Sequence, residues 1–353
     1  MKALIGMSGG VDSSVAAYLT MQEGLSCIGA TMRLYTGQDQ LSSCCKPEGV
    51  HDAQAVADRL GIPFYVFDLS ADFQRQVMDH FVASYESGYT PNPCIECNRH
   101  LKFDLFLQKA HSLDCSYVVT GHYARITQSP TGRFLLQKAV DTAKDQSYFL
   151  YRLTQHQLQH TRFPLGILTK PEARAIAEQC GFINAKKRDS QDICFIPDGD
   201  YVAFLQRYTK KDYPSGNYLD LQGNVVGRHK GAVAYTLGQR KGLNLAMGTP
   251  VYVCDKDMQK NTVTVGPNEA LFHSTLLAND CNWIAIDNLT QPLRVKAKAR
   301  SRMEEQPATV YPEADGWIRV VFDESQRALT PGQAIVFYDE DTVVGGATIA
   351  RIL

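Results

Sequence analysis

The sequence has 353 residues, 44% of them apolar, and a formal net charge of −1 at pH 7. This length predicts two or three domains, the apolar content excludes a disordered chain, and the charge gives no overall sign of a polyanionic partner. No run approaches the ~20 consecutive apolar residues that span a bilayer, and the N-terminus opens on KALIGM rather than on a charged leader. We therefore expect a cytosolic protein without a membrane anchor.

The first 120 residues alternate short apolar runs with amphipathic helical patterns. The predicted strands are Ala3 to Met7, Cys27 to Leu34, Phe64 to Leu69 and Tyr117 to Thr120. Helical spacing occurs between them, around Val15 and Leu19, from Val50 to Leu60, from Phe73 to Phe81 and from Leu101 to Ala110. This alternation predicts a doubly wound α/β domain with a parallel sheet, which we assign to residues 1–207. Such domains bind ligands at the carboxyl ends of the strands, so the loops after Met7, Leu34 and Thr120 are where chemistry is expected.

Beyond the first sheet, the pattern predicts a hairpin (Ala124 to Thr127, Phe134 to Lys138) and a helix from Thr169, with Glu172 completing a capping box. From about Tyr208 the sequence changes to short strands separated by Gly, Pro and Asn. Regular turn signals between short strands predict a small central β-rich domain, residues 208–277, and a C-terminal β-barrel, residues 278–353.

Basic residues cluster at five places after residue 185. Any one cluster is more often a solvated face than a binding site, but the occurrence of five weakens that interpretation. The clusters are Lys186-Lys187-Arg188, Lys210-Lys211, Arg228-His229-Lys230, Arg240-Lys241 and Lys296/Lys298/Arg300/Arg302.

LIGMSGGVDSS, residues 4–14, follows the first strand and opens the first helix. In that place backbone N–H groups and the helix N-terminus face a bound anion, and the serines add hydroxyl donors. The loop lacks the lysine of G-x-x-x-x-G-K-[ST] and the spacing of G-x-G-x-x-G, so neither a kinase-type loop nor a dinucleotide fold is supported. Asp12 beside phosphates fits a Mg²⁺ ligand. A plain tight turn that needs Gly9 and Gly10 for steric reasons is the alternative.

Cys94 and Cys97 form a C-x-x-C in TPNPCIECNRHLKF, and Cys194 lies in DSQDICFI about a hundred residues later. The C-x-x-C spacing alone fits a zinc site, an iron–sulfur site, a dithiol or a nucleophile. Most of the ten cysteines fit buried small apolar residues, and Cys44-Cys45 fits a structural or loop pair.

SGGVDSS resembles the pyrophosphate loop of the N-type ATP pyrophosphatases, which cleave ATP to AMP and pyrophosphate. Together with NPCIECN, CCKPEGVHDA, GHYA, KDQSYFL, DSQDICFI and TPGQAIVFY, it resembles one family over essentially the full chain. That family is the bacterial and organellar tRNA-specific 2-thiouridylases, which replace oxygen by sulfur at C2 of the wobble uridine.

The resemblance implies roles for particular residues. It implies that Cys97 is the catalytic nucleophile and Cys194 the persulfide carrier, and that these two cysteines close a disulfide. Positions implied to contact ATP are Gly6, Met7, Ser8, Gly9, Gly10, Val11, Asp12, Ser13, Met32 and Gly121. Positions implied to meet the target base or the rest of the tRNA are Asn92, Pro93, Cys94, His122, Lys144, Asp145, Gln146, Arg300, Ser301 and Gln333.

The implied chemistry needs ATP and Mg²⁺, because the C2 oxygen is a poor leaving group until it is adenylated. Sulfur then comes from a persulfide, supplied by a cysteine desulfurase relay, and a cellular reductant reopens the disulfide. The sequence departs from some family members at Cys94, where they carry Asp. Cys94, Cys97 and Cys194 therefore also form a possible ligand set for a labile [4Fe–4S] cluster with an open fourth position.

Two other functions stay open at this stage. Another adenylating enzyme, acting on a small-molecule acid or amide, would not depend on Cys97 or Cys194. A redox or metal-dependent RNA-binding module would not turn over ATP and would tolerate loss of Asp12, although the intact SGGVDSS argues against it.

Overall fold

The protein is described here by a computed structural model that covers residues 1–35, 47–187 and 193–353. Cys44 and Cys45, Arg188 and the segment Asp189 to Asp192 of DSQDICFI lie outside these residues. The strands in chain order are β1 (Lys2–Gly6), β2 (Ser26–Arg33), β3 (Phe64–Asp68), β4 (Tyr117–Val119), β5 (Arg125–Gln128), β6 (Phe134–Gln137), β7 (Thr161–Arg162), β8 (Gly216–Leu219), β9 (Val225–His229), β10 (Tyr252–Asp257), β11 (Thr262–Gly266), β12 (Phe272–Trp283), β13 (Leu293–Lys298), β14 (Gln306–Pro312), β15 (Ile318–Arg327), β16 (Ala334–Asp339) and β17 (Thr342–Ile352).

Helices cover both faces of the first sheet and connect it to the rest of the chain. They are α1 (Val11–Gln22), α2 (Pro47–Leu60), α3 (Ser70–Phe73), α4 (Asp79–Glu86), α5 (Pro93–Glu96), α6 (Phe106–Ser112), α7 (Gln155–Gln159), α8 (Lys170–Gln179) and α9 (Tyr201–Thr209). A π-helical segment, Gln74–Met78, joins α3 to α4, and a second one, Cys97–Leu105, joins α5 to α6. None of the helices in the described ranges has the length and apolar run that a bilayer crossing would need.

The first sheet is parallel throughout, in the order β3-β2-β1-β4-β7. β1 occupies its centre, with Ile5 opposite Gly29 on one side and Val119 on the other. The strands β1, β2 and β4 are apolar runs because helices bury the sheet on both faces, as expected for a parallel sheet, whereas Tyr65 and Val66 of the edge strand β3 are exposed. The predicted doubly wound α/β domain is therefore confirmed, and its loops at the carboxyl ends of β1, β2 and β4 share one edge.

The central sheet has four strands in the order β10-β11-β8-β9. β8 pairs parallel with β11, whereas the other two pairings are antiparallel. A small apolar core that includes Tyr218, Val253 and Val263 covers one face. The predicted central β-rich region is confirmed.

The C-terminal strands close a barrel in the order β12-β15-β14-β13-β16-β17, with β17 returning to pair with β12. Closure leaves no free edge between these six strands. The predicted C-terminal barrel is confirmed, but the hairpin β5–β6 was not expected to join it. β6 pairs with β17 at Gln137 and Thr342, so the hairpin extends the barrel sheet rather than the first sheet.

Contacts across this junction fix the hairpin to the barrel. The Arg133 guanidinium donates to the backbone oxygens of Ile284 and Ile286, each at 2.5 Å. The Lys138 ammonium lies 2.8 Å from the Glu305 carboxylate. The hairpin leads directly to Lys144-Asp145-Gln146, which we call the KDQ segment. These bonds therefore hold the barrel against the first domain.

Candidate active site

A cavity of about 480 Å³ opens at the carboxyl edge of the first sheet. The loop after β1, the loop after β4, the C-x-x-C segment and the region around Cys194 all line it. The residues from the sequence prediction that it brings together are Gly6, Met7, Ser8, Gly10, Val11, Asp12, Ser13, Met32, Pro93, Cys94, Cys97, Gly121, His122, Lys144, Gln146 and Cys194. The phosphate loop and the three cysteines, far apart in sequence, thus face one space.

The loop after β1 is organised by its own hydroxyl groups. Gly10 precedes the first turn of α1, the Ser8 N–H donates to Ser13 Oγ at 3.1 Å, and Ser13 Oγ donates to the Gly10 oxygen at 3.1 Å. The N–H groups of a helix's first turn have no partner within the helix, and the helix dipole adds positive potential there. The loop is therefore suited to bind phosphate oxygens.

Two glycines permit close approach of backbone to this loop. Gly9 has a φ of +70°, and a Cβ there would lie 2.2 Å from the Gly49 oxygen. At Gly121 a Cβ would lie 2.7 Å from the Asp12 carbonyl carbon and 2.8 Å from the Ser13 nitrogen. Gly9 itself does not line the cavity but fixes the turn against α2, while Gly121 lets the β4 loop touch the start of α1.

Asp12 has two partners that the sequence did not reveal. Its Oδ1 and Oδ2 each accept from the Lys170 ammonium at 2.8 Å, and Oδ1 also accepts from the Tyr123 hydroxyl at 2.9 Å. Lys170 is the first residue of α8 and is only 7% exposed. The Lys170 ammonium therefore neutralises the Asp12 carboxylate at the phosphate loop, which reduces its repulsion of bound phosphates. The capping box at Thr169 is confirmed: the Glu172 carboxylate accepts from the Thr169 N–H and hydroxyl, both at 2.7 Å.

The C-x-x-C segment lies at the start of a helix, upstream of the helical spacing predicted from Leu101 to Ala110. Pro93 opens α5, and the Asn92 side chain accepts from the Cys94 N–H at 3.2 Å as the N-cap. Cys97 opens the π-helical segment and is only 8% exposed, whereas Cys94 is exposed and Cys194 partly buried. Asn92 thus has a structural role as well as the one implied by the resemblance.

Positive charge and a neutral imidazole line the cavity near the cysteines. Lys102 and Lys144 line it directly, and so does Lys187, whose ammonium lies 2.7 Å from Asp52 and 3.1 Å from the Gly9 oxygen. Burial, with a smaller effect from Lys102, holds the pKa of His122 well below its ordinary value. The His122 Nδ1 bonds with Thr120 Oγ1 at 2.7 Å, so a neutral ring is held in place at the cavity wall.

The KDQ segment is bonded within the protein. The Asp145 carboxylate accepts from the Ser147 hydroxyl at 2.8 Å and from the Ala139 N–H at 3.0 Å. Gln146 Oε1 accepts from the Tyr123 N–H at 2.9 Å. Asp145 shapes the turn, while Lys144 and Gln146 reach the cavity.

The other residues implied to meet tRNA lie on the barrel, outside the cavity lining. The Arg300 guanidinium donates to the Ala328 oxygen at 2.7 Å and to Thr330 Oγ1 at 2.5 Å. Burial lowers the pKa of Arg300, with Arg327 adding to the effect. Gln333 Nε2 donates to the Thr90 oxygen at 2.7 Å, and Ser301 is partly exposed at the end of the turn after β13.

The candidate metal ligands at the cavity are the Asp12 carboxylate and the thiols of Cys94, Cys97 and Cys194. Within residues 1–35, 47–187 and 193–353, no three His, Cys, Asp or Glu side chains are arranged to hold a metal ion. Cys94, Cys97 and Cys194 share the cavity without forming such a set, so the [4Fe–4S] cluster stays a prediction. Mg²⁺ in phosphate sites needs only one or two carboxylates besides the substrate phosphates, and Asp12 fits that requirement.

Three family models cover nearly the whole chain. Residues 1–198 match a tRNA methyl transferase HUP domain, residues 202–267 a tRNA methyl transferase PRC-barrel domain, and residues 273–349 an aminomethyltransferase β-barrel domain. The three matches follow the first sheet, the central sheet and the barrel in order.

Curated relatives match over full length. A tRNA-specific 2-thiouridylase MnmA from Clostridioides difficile is 48% identical over 100% of this chain and 99% of its own. One from Symbiobacterium thermophilum is 49% identical over 100% of this chain and 93% of its own. A solved 4-thiouridine synthetase–RNA complex with bound ATP is 18% identical, with a TM-score of 0.40 over 58% of this chain and 50% of that one, a likeness too slight to carry an argument.

Proposed function

The chain belongs to the tRNA-specific 2-thiouridylase family, and on that basis we propose that it catalyses ATP-dependent 2-thiolation of the wobble uridine of tRNA. The observation that carries the proposal is the shared cavity, in which the phosphate loop faces Cys97 and Cys194. The matched family models are described by methyl transfer, but a phosphate loop has no task in methyl transfer, whereas thiolation requires adenylation.

In the first step the loop binds ATP, and the uridine C2 oxygen attacks the α-phosphorus. Pyrophosphate leaves and the C2 carbon then bears AMP as a leaving group. Mg²⁺, when bound beside Asp12, supplies charge neutralisation to the phosphates. The first turn of α1 supplies further positive potential, and the Lys170 ammonium offsets the Asp12 carboxylate; both effects stabilise the departing pyrophosphate.

In the second step Cys194 carries the transferable sulfur as a persulfide. Its terminal sulfur attacks C2 and displaces AMP, which leaves the base joined to Cys194 through an S–S bond. The Cys97 thiolate then attacks the Cys194 sulfur, the S–S bond to the base breaks, and 2-thiouridine leaves with that electron pair. The resulting Cys97–Cys194 disulfide takes two electrons from a cellular dithiol before the next turnover.

The target base must leave its stack to enter the cavity. Asn92, Pro93, Cys94, His122, Lys144, Asp145 and Gln146 are proposed to meet the anticodon arm near the cavity, with Arg300, Ser301 and Gln333 contacting it from the barrel. A cysteine desulfurase relay is the proposed source of sulfur. tRNA and reducible thiols both fit a cytosolic setting, which we propose for the protein.

The test is an anaerobic assay of the full chain with ATP, Mg²⁺, a persulfide donor and unmodified tRNA. Nucleoside mass spectrometry measures 2-thiouridine, and AMP and pyrophosphate are followed in parallel. We expect tRNA-dependent AMP formation together with 2-thiouridine.

Variants separate the two steps. Cys97→Ser and Cys194→Ser should each abolish sulfur transfer. Cys194→Ser should still release pyrophosphate, whereas Asp12→Ala should abolish pyrophosphate release. Cys254→Ser is the matched control, because Cys254 lies in the central sheet and burial raises the pKa of its thiol. Full thiolation by either of the first two variants would refute the cysteine roles. AMP formation that needs a small-molecule acid instead of tRNA would point to a different adenylating enzyme.

A further inference from the structure

One loop of the C-terminal barrel binds the backbone just before the C-x-x-C segment. The Thr90 N–H donates to the Pro331 oxygen at 2.9 Å, and Gln333 Nε2 donates to the Thr90 oxygen at 2.7 Å. Both backbone polar groups of Thr90 are thereby satisfied by residues about 240 positions away in sequence. We name the loop 331–333 the barrel latch.

The barrel latch contacts Tyr89 and Thr90 so closely that only glycine fits at position 332. Gly332 has a φ of +89°, and a Cβ there would lie 2.8 Å from both the Thr90 nitrogen and the Tyr89 Cβ. The Gly332 N–H donates to the Ile349 oxygen at 2.8 Å, and the Ile349 N–H donates to the Gln333 oxygen at 2.8 Å. The latch is thus bonded to β17 and presents a fixed surface to Thr90.

The residues between Thr90 and Cys94 form a stiff connection. In Thr90-Pro91-Asn92-Pro93 each proline fixes its own φ and restricts the residue before it to extended conformations. Asn92 then caps the helix through the Cys94 N–H. A shift of Thr90 is therefore transmitted to the start of the helix that carries Cys97.

The barrel also contacts the same helix beyond Cys97, at Arg99. The Arg99 guanidinium lies 3.3 Å from Asp280, whose carboxylate also lies 2.6 Å from the buried Arg152. Next to Cys97, Asn98 donates to the Phe149 oxygen at 3.0 Å. Cys97 accordingly lies between two points, Thr90 and Arg99, that are both fixed to the barrel.

We propose that Gln333 and Gly332 are positioning residues, through which the barrel fixes the geometry of the Cys97 helix. Their catalytic importance rests on the proposed function, but the contact itself does not. The resemblance implies that Gln333 touches tRNA, and the structure gives its amide a partner inside the protein. The same side chain then connects the RNA-facing barrel to the cysteine segment, so the barrel serves the reaction as well as RNA binding.

The test is the rate at which iodoacetamide modifies Cys97 in the fully reduced full chain without ATP or RNA, with each cysteine resolved by peptide mass spectrometry. Cys97 lines the cavity but is only 8% exposed, so local opening of the helix should expose more of its sulfur and speed its modification. Loss of one hydrogen bond that opposes this opening should raise the rate about fivefold. We expect that increase in Gln333→Leu, and also in Gly332→Ala, whose Cβ would push the Thr90 nitrogen away from the Pro331 oxygen, together with a fall of about the same factor in kcat at saturating tRNA.

Gln326→Leu is the matched control. Gln326 is a buried barrel glutamine whose Nε2 donates to the Glu324 oxygen at 2.8 Å, a bond that stays within the barrel. Ser301→Ala serves as a control for RNA contact and should raise KM for tRNA without changing Cys97 modification. Thermal unfolding of each variant confirms that it is folded.

An unchanged Cys97 rate in folded Gln333→Leu, with only KM for tRNA raised, would assign Gln333 to RNA alone and overturn the proposal. An equal rise in the Cys97 modification rate in Gln326→Leu would also overturn the proposal, because it would show that loss of any buried barrel glutamine loosens the helix. The modification assay uses no ATP or RNA, so a chain that failed to thiolate tRNA would still reveal whether the latch holds Cys97.

Discussion

Lys170 lies 158 positions after Asp12 in the chain, yet its ammonium bonds to both oxygens of that carboxylate. A lysine at the first position of an amphipathic helix is most often a solvated residue, so nothing in its local pattern indicates a site. Only the packing of α8 against α1 brings it to the phosphate loop. Tyr123, the other partner of Asp12, lies in the GHYA segment, where its local pattern indicates no role for its hydroxyl.

Lys170→Met should slow pyrophosphate release by about tenfold or more. The substitution removes a buried positive charge and leaves the partly buried Asp12 carboxylate without its ion pair at the phosphate site. Initial rates of pyrophosphate release at saturating ATP and tRNA measure the effect.

Lys138→Met is the matched control for Lys170→Met. The Lys138–Glu305 pair is also largely buried, with 18% and 17% side-chain exposure, but it joins the hairpin to the barrel. The control variant should lose thermal stability and keep the rate of pyrophosphate release. Equal rates in the two variants would show that Lys170 only stabilises the fold.

Single residues of the site were predictable where they lie in a contiguous motif. The loop from Gly6 to Ser13 and the C-x-x-C were identified this way, and the structure places nearly all of them at one cavity. The internal bonds of Asp145, Arg300 and Gln333 were not predictable, because each joins residues whose proximity only the folded chain creates.

At the scale of elements, the phosphate loop depends on how closely α2 approaches it. Gly9→Ala should abolish ATP binding and lower Tm by several degrees, because its Cβ would overlap the Gly49 oxygen at 2.2 Å. Calorimetric titration with ATP and thermal unfolding measure the two effects.

Gly24→Ala is the control that separates backbone strain at positive φ from steric overlap of the added Cβ. Gly24 has a φ of +80°, close to that of Gly9, but a Cβ there would have no heavy atom within 4 Å. It should cost about 1 kcal/mol of stability through backbone strain and leave ATP affinity unchanged. If Gly9→Ala bound ATP as well as Gly24→Ala does, the close approach to Gly49 would not shape the site.

Element boundaries show what local patterns reveal and what they miss. The apolar spacing around Leu101 predicted a helix, but the helix begins at Pro93, where Asn92 and the proline give a cap signal that apolar periodicity ignores. β7 has only two residues, too few for any periodic signal, and it forms by pairing with β4. The π-helical segment at Cys97 has no sequence signature of its own.

Across the whole molecule, two buried histidines should make stability depend on pH. Burial lowers the pKa of His122 in the first domain and of His229 in the central sheet below 6.5. His229 Nδ1 accepts from the Gly231 N–H at 3.0 Å, which fixes the neutral ring. Below pH 6.5 the unfolded chain binds protons that the folded chain does not, so the free energy of unfolding falls as pH falls, by up to about 1.4 kcal/mol per pH unit for each group.

Urea unfolding at pH 7.5, 6.5 and 5.5 measures this dependence. His229→Gln should reduce the loss between pH 6.5 and 5.5, although its stability at pH 7.5 is lower because the buried site is disturbed. His80→Gln, at an exposed position, is the control and should behave as the natural chain does. An identical loss in His229→Gln and the natural chain would show that His229 does not contribute.

The order of the three regions could be predicted because each region has its own pattern of strand lengths and turn residues. Their connections could not, because pairing between residues far apart in sequence leaves no local pattern. The hairpin β5–β6 was predicted as a hairpin, but its attachment to β17 depends on a single pairing of Gln137 with Thr342 and on side-chain bonds such as those of Arg133.

That attachment has a consequence for the order in which the chain is made. Gln137 and Thr342 are 205 residues apart, so at ~5–20 residues per second β6 leaves the ribosome roughly 10 to 40 s before its partner strand exists. During that interval the hairpin backbone beside Gln137, where the Lys138 N–H donates to the Asp341 oxygen in the folded chain, lacks its partner and is open to neighbouring nascent chains. Translation that stops before Thr342 would make this exposure permanent, so prematurely terminated products should aggregate even when their first sheet has folded.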